Sequence, residues 1–596
     1  MSTTVFDLYI VDFIQRVANT ITIPMVNMSI IVFALLVLLV AAVHSGSEAF
    51  RPFFRKIKPP AGLLSTKGGG LESSLQWWED LAPPFAFPAE AESCDPPLQD
   101  LRPHDAVDVV HFCFLVHGYR GYSRDLSYLQ TVMQRVADTE LRRRVKEELN
   151  ASQSHHSSSG DSYMSSSSSV QQDVVVYTPT CNERRTDDGI VSGGDRLVNE
   201  IREFIHKEMQ QRAKSVSIRE EGEDNRLPRI TISMLGNSLG GLYSRYAIAK
   251  LLEYCEMDDA DNETWILDGK YRLAFNVFCT TATPHLGVAG HTFLPLPRTA
   301  EWGFAQVMRS TGRDLFRCND LLRRMATHPH FLQPLGRFRE RIAYANAYGT
   351  DFPVPCQTAG FLNEESDSPH YFLESDEGEE EDPAEAEGLI IAKVYTPRKE
   401  NDDMAPTEKS TEIVNITDLL ESDEDIDEGL AWTIEFGKES ELKAMSQTLD
   451  NLGWKKVFVD ARKNMPKIPL FGLSSRSNSS NAGDDSTVEE IDDSDNNLGD
   501  DDRQARTAYI ARLKEKGVVE SKDLVSAVTA PLFDENFHWP VGHNMIVAFS
   551  RSRLSTYLNK AGRPVVDSIA KNLVRMILDW PMEEETVVAT KENVAA

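Results

Sequence analysis

The stretch ITISMLGNSLGGLYSRYAIA, Ile230 to Ala249, decides how the rest of the chain is read. Ile230 to Leu235 is a short apolar run of strand-forming residues, and Leu242 to Ala249 has the spacing of a helix. Between them Gly236-Asn237-Ser238-Leu239-Gly240 spells GxSxG. The pattern alone is short enough to arise by chance. Strand, sharp turn and helix around it are what a nucleophile elbow requires, because the serine must project from a tight turn at the carboxyl edge of a sheet. Glycines on either side permit the backbone crowding. The helix that follows would aim its free N–H groups at a developing oxyanion.

Working outward, Val109 to Val116 (VVHFCFLV) is a continuous apolar run, suited to a strand covered on both faces. Val174–Tyr177, Ala274–Cys279 and Ile342–Asn346 read as further strands. Helical patterns cover Leu197–Gln211, Leu242–Glu256 and Phe304–Ala326. Alternation of this kind implies an α/β domain with a mostly parallel sheet. Directly after the first strand comes His117-Gly118-Tyr119-Arg120-Gly121. An HG pair there supplies the other half of an oxyanion hole, so the backbone N–H groups of Tyr119 and Leu239 are the candidate donors. His117 is read as a brace for the loop.

These pieces resemble the putative serine esterase family of lipase-like α/β-hydrolases, which includes yeast-type and plant cytosolic lipases. The similarity rests on Leu115-Val-His-Gly118, Asp188-Gly-Ile190 with Gly194 to Ile201, Gly236 to Ala249, and Ala282-Thr-Pro-His-Leu-Gly287. It continues through Tyr344-Ala-Asn346, Leu452-Gly-Trp454 and Gly542-His-Asn-Met-Ile-Val547. The resemblance implies an α/β-hydrolase fold, a Ser–Asp–His triad and no metal or organic cofactor. It also implies a carboxylic ester substrate, acylglycerol-like if lipid. Chain order Ser, acid, His admits Asp351, Asp460 and Asp534; Asp351 is favoured because it follows the Ile342–Asn346 strand and because Asp351-Phe-Pro-Val-Pro-Cys-Gln-Thr358 resembles the family's acid loop. The base is His543 in Trp539-Pro-Val-Gly-His-Asn-Met-Ile-Val547, with His538 as its alternative. His285 is read as structural. A phospholipase or acyltransferase could use the same triad, and an interaction protein with a vestigial hydrolase core is the reading from another class.

The 596 residues overstate the folded content, and the net charge of −30 disfavours nucleic acid as a partner. Much of the charge lies in runs too poor in apolar residues to order themselves. His155–Ser169, Asn363–Glu428 and Ser474–Asp502 are read as insertions without structure of their own, dispensable for chemistry; protein partners for the acidic loops are not indicated. The expected organisation is a hydrolase domain over 105–362, continued over 429–473 and 504–585, with insertions at 363–428 and 474–503. Seven cysteines without CxxC or Cys/His clustering fit reduced thiols better than a zinc site. Ile21 to Val43 is apolar apart from Thr22, Asn27 and Ser29, long enough as a helix to span roughly 30 Å of hydrocarbon. Arg51, Arg55, Lys56 and Lys58 follow it, whereas Asp7 and Asp12 precede it. A single-pass transmembrane anchor with the catalytic domain in the cytosol is therefore expected.

Overall fold

The computed structural model describes residues 107–155, 171–216, 227–258, 261–290, 298–362 apart from 348, 349 and 352, and then 384, 389–396, 398, 439–460 and 542–581 apart from 552. Nine strands among them form one sheet: β1 (Val109–Val116), β2 (Gln172–Tyr177), β3 (Arg229–Asn237), β4 (Cys255–Asp258), β5 (Asp261–Leu267), β6 (Tyr271–Thr281), β7 (Glu340–Asn346), β8 (Ile390–Thr396) and β9 (Trp454–Val459). The order is β2-β1-β3-β6-β7-β9-β8, with the β4–β5 hairpin attached to the start of β6. Every pair from β2 to β9 along that path is parallel; β8 runs antiparallel to β9.

The apolar run of β1 is buried along its whole length because both faces of the pleat are covered. Val110, Phe112, Phe114 and Val116 point to one side, into a core with α2 (Ile190–Val216) and α3 (Leu239–Leu251). Cys113 and Leu115 point to the other, where α1 (Ser127–His155) lays down Leu129, Val132, Met133, Ala137 and Leu141 at helical spacing. A last helix, Arg563–Leu578, completes that second face with Val566, Ile569, Leu573 and Ile577. Each fully buried Phe of β1 contributes about 1.5–3 kcal/mol.

This order creates a switch point. The connection leaving β1 runs to β2 on one side, and the connection leaving its neighbour β3 runs to β6 on the other. The helices that follow them, α1 and α3, lie in opposite cores, so a crevice opens between the carboxyl ends of β1 and β3. His117-Gly118 and Ser238 stand at those two ends.

Several expectations need correction. Within Asn363–Glu428, read as lacking structure, Ile390–Thr396 is the edge strand β8. Its Ala392 and Val394 pack with Phe458 of β9, and Leu389 receives the Asp460 N–H. Leu389-Ile-Ile-Ala-Lys-Val-Tyr395 is itself an apolar, β-branched run with a strand signal; the acidic composition of the insertion as a whole hides it. Excising 366–425, as the dispensable-insertion reading allows, would strip β9 of that partner. The helical run read over Phe304–Ala326 is three short helices, Arg298–Val307, Arg309–Leu315 and Leu321–Thr327. Arg309 and Arg317 adopt φ of 56° and 53° and break it. The pattern read over Leu242–Glu256 stops at Leu251, and Cys255 begins the hairpin. Ile21–Val43 and Ser474–Asp502 lie outside the described residues; among those described, no helix is long and apolar enough to cross a membrane.

His111, in the middle of β1, adds a pH dependence to the fold. It is wholly buried, with Nδ1 2.7 Å from Thr231 Oγ1 and Nε2 3.3 Å from Gln172 Oε1. Burial pushes its pKa down to about 4, against weaker opposing pulls from Gln172 and Asp173. An unfolded histidine protonates near pH 6.5. Between about 6.5 and 4 the unfolded chain therefore binds a proton that the native ring refuses, so stability is full above that window and falls as pH drops through it. Burial lowers His285 likewise, with the charges of Arg245 and Lys456 adding to the effect. Urea unfolding across this range should lose a few kcal/mol, and His111→Gln should shallow the slope. An unchanged slope in that variant would remove His111 from the account.

Candidate active site

Ser238 sits at the N-cap of α3, directly after β3, with φ 55° and ψ −128°. A non-glycine residue in that region is strained, and the strain persists because the surroundings over-determine it. The Ser238 N–H donates to Thr281 O at 2.9 Å, tying the elbow to the end of β6. Small residues make the turn possible. A Cβ at Gly240 would run into the Val116 carbonyl, and one at Gly236 into the backbone of Gly241. Ser238 makes no side-chain capping bond to its own helix and is nearly buried. Its side chain is therefore uncommitted to the helix.

The HG loop lies directly against it. A Cβ on Gly118 would stand 2.7 Å from Ser238 Cβ and 3.2 Å from its Oγ, so no larger residue fits there without displacement. His117 Nδ1 donates to Gly118 O at 3.1 Å, consistent with a brace. Gly118 O also accepts from Gly121 N–H at 3.0 Å. The peptide is planar and trans, so with its carbonyl held the Tyr119 N–H points the opposite way. The Tyr119 hydroxyl donates to Asp187 Oδ1 at 2.6 Å, and burial, with help from that carboxylate, pushes its pKa up. Leu239 is the first residue of α3, where backbone N–H groups have no intrahelical acceptor. The two candidate oxyanion donors thus belong to the residue after Gly118 and the residue after Ser238, on two adjacent strand ends.

Asp351 and His543 are 192 positions apart in sequence, and the fold brings them together: His543 Nδ1 is 3.0 Å from Asp351 Oδ2. Asp351 is wholly buried, whereas His543 keeps a little of its ring accessible. The same Oδ2 accepts from Asn346 Nδ2 at 2.8 Å, and Oδ1 accepts from Val354 N–H at 2.9 Å. Backbone follows side chain: Gly542 N–H donates to Thr350 O at 2.9 Å, joining the two loops. His543 sits in a one-turn helix, Gly542–Met545. An imidazole whose Nδ1–H is held by a carboxylate presents an unprotonated Nε2, the state required of a general base. Among the described residues Ser238 and His543 share no hydrogen bond.

Of the competitors, Asp460 is buried at the end of β9 and is not the carboxylate on His543; Asp534 and His538 lie outside the described residues. His285 is buried with Nε2 3.0 Å from Thr280 Oγ1 and Nδ1 3.3 Å from Arg245 Nη1. An arginine can only donate, so the ring proton is on Nε2 and its bonds are structural. Sequence reasoning missed Asn346, which bonds the Asp351 carboxylate from the last position of β7. A polar residue ending an otherwise apolar strand is the signal it offered. Asp125 and Arg551, which join the HG loop to the histidine segment, left no local signal. Six cysteines are described and all are free thiols. Among the described residues no group of histidine, cysteine and acidic side chains has the makings of a metal site.

An elbow serine at a sheet switch point and a carboxylate-held imidazole from another loop at the carboxyl ends of the strands are the kind of groups from which a hydrolase site is built. Residues 107–362 match the model of the family described as "Putative serine esterase (DUF676)", which supports an enzyme that hydrolyses ester bonds. No curated protein matches the chain. Among solved structures, the RedJ thioesterase of the prodiginine biosynthetic pathway in Streptomyces coelicolor is similar at 13% identity, covering 51% of this chain and 85% of its own, with a TM-score of 0.19. The fold assignment rests on the sheet order, not on that likeness.

Proposed function

We propose that this protein is a lipase-like serine esterase that cleaves a carboxylic ester of a lipid, acylglycerol-like, through an acyl-enzyme. Ser238 Oγ attacks the ester carbonyl. His543 Nε2 takes its proton and returns it to the departing alcohol, while Asp351 holds the imidazole's tautomer and stabilises its charged form. Tyr119 and Leu239 N–H groups bind the oxyanion of the tetrahedral intermediate. Water then repeats the sequence on the acyl-serine and releases the acid. The observation that carries this reading is the Asp351–His543 pair at 3.0 Å, on the sheet edge that also bears the elbow.

The lipid assignment draws support from Ile21–Val43, whose apolar length would hold the domain at a membrane, with the catalytic part on the cytosolic side. Anchoring raises the local concentration of a membrane-borne ester without altering the chemistry. The test is a fluorophosphonate probe followed by a substrate panel. The full-length protein should label at Ser238, release fatty acid from acylglycerols in mixed micelles, and do so faster than from phospholipids. Preference for phospholipid, or acyl transfer to an added alcohol in place of hydrolysis, would reassign the substrate on the same triad. Absence of both labelling and turnover would leave an interaction protein on a hydrolase scaffold.

A further inference from the structure

The HG loop and the histidine segment are separated by more than four hundred residues, yet one side chain spans them. Arg551 lies eight positions after His543 in the same turn-rich segment, which is stiffened by bonds from Ile546 N–H to Gly542 O, Ala548 N–H to Met545 O and Phe549 N–H to Asn544 O. Its guanidinium donates from Nε to Asp125 Oδ1 at 3.1 Å and from Nη2 to Asp125 Oδ2 at 2.6 Å. Nη2 also donates to the Arg120 carbonyl at 2.7 Å. Asp125 is almost fully buried and accepts in addition from Tyr122 N–H at 2.7 Å. The guanidinium sits near one aromatic ring from each segment, 4.8 Å from the Tyr122 centroid and 5.0 Å from that of Phe549.

Arg120 gives this arrangement its consequence. It follows Tyr119 and adopts φ 51°, a strained conformation for a β-carbon-bearing residue that persists only where its surroundings impose it. The surroundings do so from both ends: Thr186 Oγ1 accepts its N–H at 2.8 Å, and Arg551 takes its carbonyl. Without the second grip, the backbone of Arg120 loses one of the holds that keep it at positive φ, and the turn carrying Tyr119, which lies beside Gly118 and Ser238, loosens with it.

We infer that Arg551 is a positioning residue, which locks the loop bearing the Tyr119 oxyanion donor to the segment bearing His543 through Asp125 and the Arg120 carbonyl. The inference rests on the esterase reading above. A planar fork with several donors can grip the carboxylate and the carbonyl at once, whereas a lysine ammonium is a point charge without that geometry. Misplacing one oxyanion donor weakens binding of the transition state and leaves ground-state binding of the ester nearly alone.

The experiment compares wild type, Arg551→Ala, Arg551→Lys and Asp125→Asn, all full-length, on a soluble p-nitrophenyl ester and with a boronic acid inhibitor that forms an adduct on the nucleophile. Arg551→Ala is expected to lower kcat by about 10- to 100-fold with KM changed less than about threefold. The boronic acid Ki should rise by a similar factor, because its tetrahedral adduct occupies the same hole. Arg551→Lys should recover only part of the loss. Rates are referred to the folded fraction measured by circular dichroism, so a merely structural ion pair would leave kcat per folded molecule unchanged; that result overturns the inference. Should Arg551→Ala fail to fold, the decision passes to Arg551→Lys and Asp125→Asn, where an unchanged kcat and Ki overturn it equally. An inactive and unlabelled wild type would instead overturn the esterase reading, which is a different outcome from an active enzyme indifferent to Arg551.

Discussion

Ser238→Ala is expected to lower kcat on a soluble ester by on the order of a million-fold, down to the residual rate that binding and an oxyanion hole sustain without a nucleophile. The fold should survive it. Ser238 makes no side-chain capping bond, and its backbone is held by the Thr281 carbonyl on one side and by the Gly241 N–H on the other. Alanine keeps those backbone bonds and the same positive φ, so the thermal midpoint should move little. Ser238→Gly, by contrast, should raise it slightly, because glycine adopts positive φ without penalty. Kinetics and a thermal melt on the same preparations check both statements. Substantial turnover in a folded Ser238→Ala protein would end the assignment of this elbow as the nucleophile.

Asp351→Asn is expected to cost about four orders of magnitude in kcat, and here the hydrogen-bond geometry dictates the reason. Oδ2 accepts from both His543 Nδ1 and Asn346 Nδ2, and Oδ1 accepts from the Val354 N–H. An asparagine must put its NH2 at one of these two places, and donors already face both. Placed toward Val354, it confronts a backbone N–H; placed toward His543, it confronts Asn346 and forces the imidazole proton onto Nε2. That second arrangement removes the lone pair that would accept the serine proton. The first leaves a buried donor without a partner, about 1–3 kcal/mol of stability. The combined signature is a large loss of kcat with a lowered melting temperature. A folded Asp351→Asn protein with near wild-type kcat would mean that some other carboxylate serves His543.

Parts of this molecule are written locally and parts are not. Val109–Val116 is bounded to the residue by its apolar run, and the elbow declares itself through glycines that must sit where a Cβ would strike Val116 or Gly241. Positive φ at Ser238 follows from the same crowding. Such features depend on neighbours within a few residues, so periodicity and turn chemistry report them. Strand β8 carries a local signal in Leu389-Ile-Ile-Ala-Lys-Val-Tyr395, but the acidic composition of its surroundings masks it, and its pairing with β9 is remote. The helical breaks at Arg309 and Arg317 fall on residues that have no turn signature of their own.

The chain by itself determined the alternation of strands and helices, the HG loop and the elbow, since apolar runs and glycine positions are short-range properties. Which carboxylate meets His543 was settled only in three dimensions: Asp351 and Asp460 both follow strands, and the choice rests on which strand end faces the Gly542 turn. The joining of Asp125 to Arg551 across 426 positions also exists only in the folded molecule. A side-chain hydrogen bond between distant segments has a partner set by the order of strands in the sheet, and no pattern within a window of residues encodes that order.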